Sequence, residues 1–96
     1  MINLNDPEIK AAIERQRHLR EALKRVELER HNQDKERGGD EHDDMHSHQE
    51  WIIFIIKQLG RAAAEKQTLQ EYKDSMIKVA ALAVASYQWA ERAATK

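Results

Sequence analysis

Cysteine is absent from this 96-residue chain. It therefore has neither a disulfide framework nor a thiolate zinc site, in keeping with a reducing cytoplasm. Proline occurs once and glycine three times, which leaves few points at which a helix must stop. No long apolar run exists either. "WIIFII" and "MIKVAALAVA" fall far short of the roughly 20 residues a membrane span needs, and "MINLNDPEIK" lacks the apolar core of a secretory signal. Charge of one sign is missing too: 16 basic and 17 acidic residues leave a formal net charge of -1. That gives no long-range attraction to DNA or anionic lipid, so any anion site must be local. The absences together point to a cytoplasmic protein with neither a membrane nor DNA as partner.

What is present is helix-forming. Glu, Lys, Arg, Gln, Leu and Ala dominate the middle of the chain, and these lose least on entering a helix. The chain reads as one all-α domain over residues 1–96, an antiparallel bundle of three or four helices with a long N-terminal one. Helix one is expected over 7–36, where Asp6 caps, Pro7 takes the first helical position and Glu8 suits the positive end. Its apolar residues Ile9, Ala12, Ile13, Leu19, Leu23 and Val26 form one thin stripe on an otherwise polar rod. Gly38 and Gly39 end it, and "GGDEHDDMHSH" reads as an irregular loop over 37–48. Helix two is expected over 49–66, starting near Ser47 or Gln49. "WIIFII" could be a buried strand, but no partner strand is visible, and Leu59, Ala62 and Ala63 continue a helical spacing begun at Ile52, Ile55 and Ile56. Thr68 and Glu71 form a capping box that opens helix three, over 68–94. Its alanines let a neighbour approach closely, and Gly60 within helix two suggests another close helix contact.

So small a chain buries a modest fraction of its surface, so a homo-oligomer, a dimer first, is expected to complete the core. Trp51 and Trp89 read as core or interface anchors, and His18 and His31 as surface residues. No glycine-rich phosphate loop or nucleophile–base spacing occurs.

The stretches "ERHNQDKERGG", "WIIFIIKQLGRAA" and "MIKVAALAVASYQWAER" resemble short phage and prophage proteins of the MazG-like, all-α nucleotide pyrophosphohydrolase superfamily. The resemblance spans roughly Glu27 to Arg92. It is most specific over Trp51 to Ala63, like WxxxxxEExGExA, and over Val79 to Arg92, like VAAVAVAxxExxxR. In that family an EExxE motif on one helix and an ExxD or ExxQ motif on the next hold magnesium against a nucleoside triphosphate, since a hard cation takes oxygen ligands. Carried over, the first motif falls on Lys57, Gln58 and Arg61 and the second on Ser75 and Lys78. None is a carboxylate. The resemblance therefore implies the scaffold without its magnesium cofactor and without hydrolysis.

Lys57 and Arg61 share a helix face, and Lys78 would meet them if the helices pair as the family's do. Lys57, Gln58, Arg61, Ser75 and Lys78 are thus candidates for binding an anion or a partner. Acids such as Glu65 and Asp74 are the favoured answer to the three cations, ahead of a phosphate, because net charge is near zero and no glycine-rich turn shares the load. The other cluster is "DEHDDMHSH". His42, Asp43, Asp44 and His46 could ligate a metal, but a solvated loop or interface element is the better reading of such a segment. An EHDDxH segment also recurs in the phage proteins that the chain resembles.

The leading expectation is a catalytically inactive, MazG-like binding module, phage-encoded and acting in the host cytoplasm on a host protein or a nucleotide. One alternative is a nucleotide binder or metal-dependent hydrolase with a relocated Asp/His site. Another is a purely structural oligomeric subunit.

Overall fold

The computed structural model describes residues 3–64 and 67–95. These form four helices, α1 (Pro7–Arg37), α2 (Gly39–Asp43), α3 (His48–Ala64) and α4 (Leu69–Ala94), with no strand among the described residues. "WIIFII" is helical.

Each long helix starts where a side chain satisfies its free N–H groups. The Glu8 N–H donates to Asp6 Oδ1 at 2.8 Å, with Pro7 in the first turn. The Glu50 N–H donates to Ser47 Oγ at 3.3 Å and the Ser47 N–H to Glu50 Oε1 at 3.2 Å. Thr68 and Glu71 exchange the same pair of bonds, both 3.1 Å. α1 ends at Gly38, whose φ of 95° lets its N–H return to the Asp34 carbonyl at 3.0 Å. Gly39 follows at φ 71°. Two successive residues in this region are tolerated because neither carries a Cβ.

The segment expected to be an irregular loop is partly helical. α2 is a single turn, closed by the Asp44 N–H on the Asp40 carbonyl at 2.8 Å. Tertiary ion pairs hold it, described with the site below, and no periodicity in five residues could announce it.

α4 is central. It packs against both α3 and α1, whereas α1 and α3 make no close backbone approach among the described residues. Trp51, at the start of α3, is 1% exposed and packs with Leu82 and Ala85 of α4, joined by Phe54, Ile55 and Trp89. The start of α3 meeting the end of α4 makes that pair antiparallel. Arg25 reaches Asp74 and Arg30 reaches Gln88, so α1 and α4 run in the same sense and the long helices go up, down, up. Ala81 and Ala85 are fully buried, and their small side chains set the close contacts of α4.

The stripe on α1 stays largely exposed: Ile9 and Val26 are half-buried, but every residue from Lys10 to Lys24 is exposed. One expectation about apolar faces is corrected. On α3 the isoleucine-rich face divides. Phe54, Ile55 and Ala62 turn toward α4 with Trp51, while Ile52, Ile53, Ile56 and Leu59 are exposed. The larger rings win the interior and set the helix rotation. Among the described residues nothing packs on Gly60, since a Cβ there would meet none of their atoms within 4 Å.

Candidate functional site

The gap between α1 and α3, floored by α4, is a polar cleft of about 550 Å³. α3 supplies Gln58 and Arg61, one turn apart on its inner edge, and α4 supplies Lys78. The third wall is α1, where Glu29, Asn32, Gln33 and Glu36 succeed one another at helical spacing, with Lys35 and Arg37 beside them. Lys57 sits in an adjoining cleft of about 300 Å³, which shares Arg37, Gln58, Arg61 and Leu82 with the first and adds His42, His46 and Phe54. The structure thus brings Lys57, Gln58, Arg61 and Lys78 to one continuous groove. Ser75 is elsewhere: its hydroxyl accepts from Gln67 Nε2 at 3.2 Å and it lines neither cleft.

Four cations and two acids line the larger cleft: Lys35 and Arg37 stand beside Glu29 and Glu36 on α1, while Arg61 of α3 and Lys78 of α4 come from the other walls. Among the described residues, Arg37, Lys57, Arg61 and Lys78 form no salt bridge. Asp74, expected to answer them, does not. It accepts from Arg25 at 2.5 Å and from Gln70 at 3.0 Å, and the Arg25 hydrogen bond, aided by Gln70, lowers its pKa from the usual aspartate value. Glu65, the other expected acid, lies outside the described residues. Gln33 is 6% exposed and its Oε1 has no hydrogen-bond partner among the described residues. An unanswered buried amide oxygen costs free energy unless a ligand or water supplies a donor.

The Asp/His segment is divided among three partners. Buried Asp43 lies 3.7 Å from Arg30, which also holds Asp34 at 3.0 Å and donates to Gln88 at 3.2 Å. Burial raises the Asp43 pKa, with Arg30 opposing. Asp44 instead accepts from Arg92 of α4 at 2.8 Å. His46 Nδ1 lies 3.0 Å from Glu50 Oε2 and its Nε2 lies 3.3 Å from His42 Nε2. If Nδ1–H donates to the carboxylate, neutral His46 must accept at Nε2, so His42 donates. The His46 ring also stands edge-on to Trp51 and Phe54. His42, Asp43, Asp44 and His46 therefore do not converge on one point, and no group of three metal-ligating side chains forms among the described residues.

Sequence reasoning missed the α1 wall. Glu29, Asn32, Gln33 and Glu36 at i, i+3, i+4 and i+7 trace one helix face. That spacing was readable, yet an all-polar face on a polar helix reads as solvated. Comparison with protein families, curated proteins and solved structures finds no match.

Proposed function

We propose that the chain is a non-hydrolytic helical binding module of MazG-like architecture whose groove takes a phosphate-bearing ligand, a nucleotide, directly on cationic side chains. One observation carries the reading: Arg37, Arg61 and Lys78 surround a single cleft with no described acid in a salt bridge to them. Arginine offers a bidentate fork to phosphate and lysine a point charge, which suits a site without a metal to neutralise the ligand. Phe54, Leu82 and the two imidazoles of the adjoining cleft give a mixed apolar surface for a base, and the Gln33 amide a polar contact. A phage-encoded role directed at the host rests on the resemblance alone.

A relocated Asp/His hydrolytic site is the weaker reading, because Asp43 and Asp44 face arginines of two different helices. Thermal-shift measurements with phosphate, pyrophosphate and nucleoside triphosphates, without metal, test the proposal. A ligand at 100 times its dissociation constant stabilises by about 2.7 kcal/mol. The rise in Tm should shrink with added salt and vanish in the Arg61→Glu, Lys78→Glu double variant. Absence of any rise at millimolar ligand would remove the proposal.

A further inference from the structure

We propose that two copies of this chain pair through the outward face of α3, antiparallel and crossing at Ile56. The face is built as a helix-pairing seam. Ile52, Ile56, Leu59 and Ala63 follow one another at intervals of four, three and four residues, the spacing of a/d positions where two helices meet. Ile52, Ile53, Ile56 and Leu59 are 53, 47, 59 and 43% exposed. No charged residue interrupts the seam: Lys57 and Arg61 line the groove on the opposite side, and Glu50 is turned to His46 and Ser47.

Gly60 gives the orientation. A mid-helix glycine weakens its helix relative to alanine, and here none of the described residues needs the missing Cβ. In an antiparallel pair crossing at Ile56, residue 52 of one copy lies opposite residue 60 of the other. The Ile52 side chain then enters the recess left by Gly60, and Gln49 lies over the small Ala63. A parallel pair would instead set glycine against glycine and isoleucine against isoleucine.

The surface area favours a second copy over a small ligand or short peptide. The chain exposes 7670 Å², whereas a compact monomer of this mass exposes about 5,700 Å². The excess of about 2,000 Å² by that scaling, shared between this face and the exposed residues 10–24 of α1, is more than the roughly 800 Å² each partner contributes to a standard interface. A seam that carries no charge from Ile52 to Ala63 meets its own copy without needing a complementary charge pattern.

Sedimentation equilibrium of the full chain should give the mass of two 11.2 kDa chains. Ile56→Glu, which places an unpaired charge at the crossing, should weaken association at least ~30-fold while circular dichroism stays helical. Because the chain has no cysteine, single cysteines report on geometry without background. Ile56→Cys should link into a covalent dimer under mild oxidation, and Ile52→Cys should not, since an antiparallel crossing separates the two copies of residue 52. A monomer at high micromolar concentration would overturn the proposal. So would a dimer indifferent to Ile56→Glu, failure of Ile56→Cys to link, or equal linking by both cysteines. If Ile56→Glu unfolds, the cysteine pair alone decides.

Discussion

Asp74 of α4 holds Arg25 of α1 at 2.5 Å, across 49 residues of sequence. This ion pair ties the outer helix to the central one and engages Asp74, which forms no salt bridge with Arg61 or with Lys78 one turn further along α4. The cations of the groove are left facing a ligand-sized space, and the relationship is open to test. Asp74→Asn should leave a phosphate-induced rise in Tm unchanged, whereas Lys78→Glu should reduce it. A response lost in Asp74→Asn would return Asp74 to the groove.

Reinstalling carboxylates tests the MazG-like frame. Lys57→Glu, Gln58→Glu and Arg61→Glu together with Lys78→Asp would place oxygen ligands where the resembling family holds magnesium. The quadruple variant should gain a magnesium-dependent rise in Tm that the natural chain lacks. The natural chain should release no pyrophosphate from nucleoside triphosphates above background with magnesium or manganese, measured by phosphate release after pyrophosphatase coupling.

Asp43 gives a pH dependence of defined sign. Its pKa is raised in the folded state by burial, so the folded chain binds this proton more tightly than the unfolded chain. Stability from this group therefore falls as pH rises from the ordinary aspartate value near 3.8 through the raised folded value. Asp43→Asn should flatten that part of the stability curve, and Arg30 keeps Asp34 as partner at 3.0 Å. Urea denaturation across the acid range is the measurement. An unchanged slope would mean that Asp43 titrates as it does unfolded.

Trp51 is the largest fully buried side chain. Trp51→Ala should cost about 3–5 kcal/mol, a large share of the stability of about 5–15 kcal/mol typical of a domain. Trp51→Phe should cost distinctly less, because the indole Nε1 has no hydrogen-bond partner among the described residues to lose. Denaturant midpoints followed by circular dichroism would check both. Equal losses would point to a role for the indole nitrogen.

Short-range physics was legible in the sequence. Asp6–Pro7 and Thr68–Glu71 mark helix starts because a side-chain oxygen reaches an N–H two or three residues on, with no help from the rest of the fold. Gly38 marks a stop because a left-handed residue is cheapest without a Cβ. The i, i+4 spacing of Lys57 and Arg61 fixes one helix face but cannot say what lies across from it; Lys78 was set beside them only as what the resemblance implies.

Tertiary structure alone decided how each helix is rotated. The isoleucines of α3 could have pointed inward as readily as Phe54 by periodicity; the bulk of Trp51 and Phe54 against Leu82 and Ala85 left Ile52 and Ile56 outside. It decided the partners of the charged residues too. Asp74 could pair with any cation within reach, and the close approach of α1 to α4 gave it Arg25. The same approach left α3 apart from α1 and opened the groove. α2 owes its position to Asp43–Arg30 and Asp44–Arg92 contacts, made between residues far apart in sequence, where local periodicity carries no information.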